Sequence, residues 1–176
     1  MEFSQFNENL VKSIDRLPLT EDMIPLYLNI LATTDNAVIR GTFSYKLSEM
    51  YPQNAELKKV LIELINSPKT NGAKGNLLYS LMSMDYSDPE CIDAICVQLV
   101  EGNYECMHKA FHMLMDITDK IDEESKARIL KYLDKHGEIL GERLDLIEEL
   151  YNYINSFVNT VDSSTKTADN SMIDEF

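Results

Sequence analysis

The residues best placed to do chemistry are few. His108 and His112 stand four apart, which on a helix puts two imidazoles on one face, and Cys106 lies near them. Two imidazoles at that spacing can share a zinc ion, but a zinc site needs at least a third protein ligand. The residue after His108 is Lys109, so the His-Glu-x-x-His pattern of a zinc hydrolase is not formed. Paired carboxylates occur at Glu123-Glu124, Glu148-Glu149 and Asp174-Glu175. General acid–base work needs two carboxyls held in different environments, and all three pairs lie on polar stretches. The chain has no phosphate-cradling glycine loop, dinucleotide fingerprint or serine-nucleophile elbow. Cys91, Cys96 and Cys106 are odd in number and form no C-x-x-C pair, which fits core thiols in a reducing cytoplasm. The expectation is a protein with no catalytic residues, no metal and no cofactor.

Charge carries more information. Sixteen Lys+Arg stand against thirty Asp+Glu, a net charge of −14. That balance argues against nucleic acid or an anionic membrane as partner and favours a basic protein. No apolar run reaches the ~18 residues of a membrane span, and the first residues show neither the basic nor the apolar region of a secretory signal. Residues 1–84 are nearly balanced, whereas residues 85–124 hold eleven acids and only two bases, Lys109 and Lys120. Asp116 and Asp119 fall in or just after a helix's last turn, where the helix dipole disfavours negative charge. The candidate contact acids are therefore Asp85, Asp88, Glu101, Glu105, Asp116, Asp119, Asp122 and Glu123, with Tyr86 and Tyr104 as aromatic anchors among them.

An internal repeat supplies the elements that position these groups. Residues 40–50 align with residues 74–84 at an offset of 34, matching a basic residue, Gly41 with Gly75, Tyr45 with Tyr79, Leu47 with Leu81 and Met50 with Met84. Shifts of 33 then bring His108, His112 and Leu114, and next Gly141 and Ile147, into the same columns. Met23, Leu26, Tyr27, Ile30 and Leu31 map by 34 onto Leu57, Val60, Leu61, Leu64 and Ile65. Ile92, Ile95, Leu99 and Val100 follow at 35, and Ile129 and Leu133 at 34. Apolar positions recurring at i, i+3, i+4 and i+7 are one stripe of a helix, and no stretch alternates as a strand would. Of the nine Met residues, Met50, Met82, Met84, Met113 and Met115 mostly follow helical spacing and read as core filling.

The pattern predicts nine helices, over 3–15, 21–32, 36–50, 54–66, 70–83, 89–101, 104–118, 123–136 and 139–158, with Asp35, Asn54, Asp88 and Asp122 as N-caps. One helix pair cannot bury its stripe alone, so four pairs after a leading helix must stack. The fold class expected is all-α: a right-handed α-solenoid of about four antiparallel pairs in one domain, residues 1–160. A polar, flexible tail is expected over 161–176.

The stretch Thr34-Asp35-Asn36-Ala37-Val38-Ile39-Arg40-Gly41-Thr42-Phe43 resembles the start of the second helix of a HEAT-like repeat, with an Asp at the turn and a basic residue five positions on. The likeness covers roughly residues 20–157. It is looser where Thr70 fills the Asp column and Met107 the basic one. Residues 50–56 are similar to the join between tetratricopeptide repeats, but that family's Trp-containing signature is absent. The HEAT-like resemblance implies that the column Tyr45, Tyr79, His112 faces the concave side, as an aromatic ladder. By size, charge and architecture the chain also looks like a bacterial toxin-immunity protein. That likeness implies a cytoplasmic monomer binding one basic, nuclease-type toxin one-to-one and occluding its active site with carboxylates. The alternatives are a general adaptor joining two proteins, and a HEAT-like nucleic-acid enzyme, which the charge disfavours.

Overall fold

The computed structural model describes residues 9–14, 16–135 and 142–168. Residues 9–14 are helical (α1). They are followed by α2 (Ile24–Thr33), α3 (Ala37–Met50), α4 (Ala55–Asn66), α5 (Lys74–Met82), α6 (Pro89–Glu101), α7 (Tyr104–Ile117), α8 (Glu123–Lys135) and α9 (Glu142–Ala168). No strand occurs among the described residues. The chain is all-helical, as the stripes require.

Caps and prolines mark the helix starts. The carboxamide or carboxylate oxygens of Asn54, Asp88 and Asp122 accept the backbone N–H three residues on, at 2.8–3.0 Å, each satisfying a donor that a helix start leaves unpaired. These three caps are spaced by 34. The third and fourth pairs therefore keep the period without the extra residue that the apolar alignment suggests at the third. Asn36, not Asp35, caps α3, accepting from Val38 and Ile39 at 2.9 and 3.1 Å. Helix α5 begins four residues later than expected. Pro68–Thr70 form a 3-10 turn, and the buried Thr70 hydroxyl is tied to the Leu64 and Ser67 carbonyls, which holds the chain outside a helix until Lys74.

Each helix from α2 onward packs on its sequence neighbour within a pair, and on the equivalent helix of the next pair. The helices α2, α4, α6 and α8 thus contact one another in order, and α3, α5, α7 and α9 do likewise. The result is two layers with the core between them. The column Leu47, Leu81, Leu114, Ile147 is buried throughout, and so is the column Leu31, Ile65, Leu99, Leu133, spaced by 34. Both sets come from the stripes, and their burial is the main favourable term for stacking.

The repeated glycines have a packing role. A Cβ at Gly41 would sit 2.6–3.0 Å from the side chain of Asn76 on α5, and one at Gly75 would sit 2.5–3.1 Å from the Glu105 carboxylate on α7. Beside Gly41, the buried Ser44 and Ser80 hydroxyls meet at 2.8 Å across the same contact. Small residues let α3 and α5 approach closely. The start of α2–α3 is closed by buried Arg40, whose guanidinium donates to the carbonyls of Leu31 and Thr34 at the end of α2. Lys46 Nζ ties down the segment before α2 by donating to the carbonyls of Ile14 and Leu17 at 2.7 and 3.0 Å.

Helix α9 continues to Ala168, so residues 161–168 are helical where the sequence suggests the start of a polar tail. Ile147, Leu150 and Ile154 pin the helix to the core, and propagating it past that nucleus through Ser and Thr costs little per residue. Residues 169–176 of the expected tail, residues 3–8 and 15 of the expected leading helix, residue 136 of the helix expected over 123–136, and residues 139–141 of the one expected over 139–158, the aligned Gly141 with them, lie outside the described residues.

Candidate protein-binding surface

The second helices of the pairs, α3, α5 and α7, position the aromatic column. Tyr45 and Tyr79 come from equivalent turns of α3 and α5, and the close approach of those helices stacks their rings at 5.2 Å and 28°. Tyr79 is 49% exposed. Tyr45 donates its phenol proton to the Glu49 carboxylate one turn along. That bond favours the protonated phenol and pushes its pKa up to about 12. A hollow of about 240 Å³ lies beside the stack, lined by Gly41, Thr42, Asn76 and the two tyrosines.

The third rung differs from the expected one. His112 is exposed, but its ring meets Phe111 edge-on at 5.4 Å rather than extending the tyrosine stack. Lys109 takes that place, its Nζ 5.9 Å from the centre of the Tyr79 ring. The same ammonium donates to the Gly75 carbonyl at 3.1 Å and pairs with Glu105 at 2.7 Å. Tyr104, 65% exposed at the start of α7, lies 4.4 Å from the His108 ring. Tyr79, Tyr104, Glu105 and Lys109 therefore form one mixed aromatic and charged face across α5 and α7.

The acidic segment does not gather into one patch. Asp85 and Asp88 lie in the α5–α6 turn, Asp116 in the last turn of α7, and Asp119 and Asp122 in the α7–α8 turn. Glu101 and Glu105 lie at the opposite end of α6, which at 13 residues is about 20 Å long. The reason is antiparallel pairing: turns within pairs and turns between pairs fall on opposite ends of the stack.

Several acids brace the fold. Asp116 accepts from the Tyr86 hydroxyl at 2.8 Å and from Lys120 at 3.2 Å, and these bonds hold its pKa below the ordinary carboxylate value. They also explain a carboxylate at a helix's negative end. Tyr86 is only 7% exposed, with desolvation and the Asp116 bond both raising its pKa, so it is a strut between turns rather than the surface anchor expected. For Asp88, burial pushes the pKa up, but bonds from Lys58 at 2.8 Å and from the Cys91 amide outweigh it and the value ends low. The Ser87 hydroxyl and amide lower Asp85 at 2.7 and 3.1 Å, and the Ser125 amide lowers Asp122. Glu123 pairs with buried Lys126 at 2.8 Å. Glu101 and Asp119 project into solvent.

All three cysteines are buried, and loss of solvation pushes Cys91 and Cys96 up to about 12, far from thiolate formation. No group of three His, Cys, Asp or Glu side chains among the described residues is close enough to share a metal ion.

Two features escaped the sequence reading. One is Lys109, masked because it stands one turn before the aligned column. The other is a basic face on α8, where Arg128, Lys131 and Lys135 line a hollow of about 440 Å³ with Glu124, Ala127 and Tyr132. Its helical spacing of three and four residues was the available signal. Arg128 also reaches Asp93 on α6 at 3.0 Å, 35 residues earlier. No helix among the described residues is long and apolar enough to cross a membrane. No family model, curated protein or solved structure matches the chain.

Proposed function

We propose that this chain is a non-catalytic protein-binding module: a HEAT-like, right-handed α-solenoid that acts as an immunity protein, neutralising a basic, nuclease-type toxin in the bacterial cytoplasm. The ordered two-layer packing and the Arg40 cap on the end of α2 support the HEAT-like reading. The observation that carries the binding reading is the Tyr45–Tyr79 stack, with half of Tyr79 in solvent beside Lys109 and Glu105. Rigid amphipathic rings of this kind supply binding energy at low entropic cost, and the surrounding net charge of −14 steers a basic partner toward them. The binding is one-to-one. Carboxylates of this surface take the place of nucleic-acid phosphates in the toxin's active site.

The structure sets the choice of variants. Asp116 and Asp122 hold the fold, so charge reversal belongs at Asp119 and Glu101. The test is to recover partners by pull-down, identify them by mass spectrometry and measure association and dissociation at two salt concentrations. Asp119→Lys with Glu101→Lys should slow association and flatten its salt dependence, and Tyr79→Ala should speed dissociation. A basic partner whose nuclease activity falls stoichiometrically on binding supports the immunity reading. An acidic partner, or association indifferent to the reversal, overturns it.

A further inference from the structure

The last helix pair, α8 and α9, has no further pair packed on it among the described residues. Leu133 and Ile147, the last members of the two buried columns, lie at the bottom of a groove of about 360 Å³ between these helices. Its accessible apolar groups are the half-buried Leu144 and Tyr151, which is 36% exposed. Each helix adds one exposed carboxylate to the lining, Asp134 from α8 and Glu148 from α9.

The preceding pair shows what fills such a groove inside the stack. By the offsets that relate Leu99 to Leu133 and Leu114 to Ile147, Asp134 corresponds to Val100, Glu148 to Met115 and Tyr151 to Thr118. Helices α8 and α9 pack on that pair. Val100 and Thr118 are buried there, and Met115 packs against the core. In the last pair, two apolar positions have become carboxylates and a buried one has become a partly exposed aromatic ring. A terminal repeat that only shields its stack presents a polar outer face; here Leu144 and Tyr151 remain beside the carboxylates. A helix laid in this groove must therefore bring an apolar ridge for Leu144 and Tyr151. It must also bring cations, because a carboxylate covered without a counter-charge loses its solvation uncompensated. Asp145 and Glu149, also exposed on α9, add to the same sign. No ion pair among the described residues engages any of these four acids.

We propose that the α8–α9 groove seats one amphipathic, basic helix of the partner protein, laid where a fifth pair would pack. Its apolar ridge rests on Leu144 and Tyr151, and its Lys or Arg side chains pair with Asp134 and Glu148. This rests on the protein-binding reading and names the element that the partner presents.

The test is NMR titration of the full chain, following the Leu144 and Ile147 methyls and the Tyr151 ring. The probe is a helical peptide of about 14 residues with Leu at i, i+3, i+4 and i+7 and Lys elsewhere. One control peptide carries Glu for every Lys, the other Ser for every Leu. The Leu/Lys peptide should shift the groove signals saturably. The Leu/Glu peptide should not, and the Ser/Lys peptide should bind at least about tenfold more weakly. Asp134→Asn with Glu148→Gln should weaken the Leu/Lys peptide about threefold to tenfold, as expected for two exposed ion pairs. Leu144→Asp should abolish the shifts. Tyr151→Ser, at a more exposed position, should weaken them severalfold, while Tyr79→Ala leaves them unchanged. The seat is overturned if the shifts do not saturate, if the Leu/Glu peptide binds as well, or if the double amide variant behaves as wild type. It is also overturned if Tyr79→Ala weakens the peptide as much as Tyr151→Ser does. Groove signals that move with the chain's own concentration would put a second copy there and overturn it too, as would cross-peaks in the free protein to residues 136–141 or 169–176. The two readings fail separately. A recovered partner that binds wild type and Tyr151→Ser equally removes the seat and keeps protein binding. A peptide seated in the groove with no basic partner recovered keeps the groove and removes protein binding.

Discussion

Gly41 and Gly75 occupy one column of the repeat, yet replacing each by Ala should affect stability to different extents. Both substitutions gain helix propensity, worth about 0.5–1 kcal/mol in a helix interior and less for Gly75, which sits in the first turn of α5. At Gly41 the new Cβ comes within 2.9 Å of the Asn76 Cβ, an atom fixed to the α5 backbone. The helices must then part, straining the Ser44–Ser80 hydrogen bond, and such overpacking costs about 1–3 kcal/mol. Gly41→Ala should therefore destabilise by about 0.5–2 kcal/mol. At Gly75 the nearest atoms are all the carboxylate end of Glu105, an exposed and flexible group. It can swing away, losing an i,i+4 ion pair with Lys109 worth about 0.3–0.5 kcal/mol. Gly75→Ala should end within about 0.5 kcal/mol of wild type. Urea melts with unchanged m-values would measure both. Equal losses for the two variants would refute the argument, because the distinction rests on which atom the methyl meets.

Three further outcomes follow from the same contacts. Tyr86→Phe should cost about 0.5–1.5 kcal/mol. Combined with Asp116→Ala it should cost less than the sum, since both remove one hydrogen bond; strict additivity in urea melts would show that the bond contributes nothing. Leu81→Ala should cost about 2–5 kcal/mol, as for a fully buried leucine, while Tyr79→Ala two residues earlier stays within about 1 kcal/mol; a similar loss for both would place Tyr79 in the core. Asp85, Asp88, Asp116 and Asp122 have folded pKa values below the ordinary 3.8, so the folded state binds protons less readily than the unfolded one. Their stabilisation is complete above that value and is lost as pH falls through the lower folded values. Thermal midpoints should drop as pH falls below 3.8, less steeply in Asp116→Asn; no drop there would refute the bracing role.

The sequence determines the helices, because a stripe at i, i+3, i+4 and i+7 is a local property of the chain. The column Leu47–Leu81–Leu114–Ile147 could be read off as core for the same reason, and Asn54, Asp88 and Asp122 as caps from their place before each stripe; Leu31, Ile65, Leu99 and Leu133 all lie in the stripes, but the sequence alignment set Leu99 under Leu64 and Val100 under Ile65, and the buried column at a spacing of 34 appears only in the fold. What a side chain meets across helices is set by approach distance and by which end of the stack a turn occupies, and neither is encoded in spacing along one helix. Tyr86 reads as an exposed anchor until the α5–α6 and α7–α8 turns bring its hydroxyl to Asp116. His112 occupies the right column, yet Lys109 reaches Tyr79, because a long side chain one turn away spans the gap between α7 and α5. The acidic run is continuous in the chain and split in space, since antiparallel pairing sends successive turns to opposite ends of α6. Gln98 stands out in the sequence only as a polar residue in an apolar column. The fold buries it, gives its Nε2 one partner on Ile65 and leaves its Oε1 without one among the described residues.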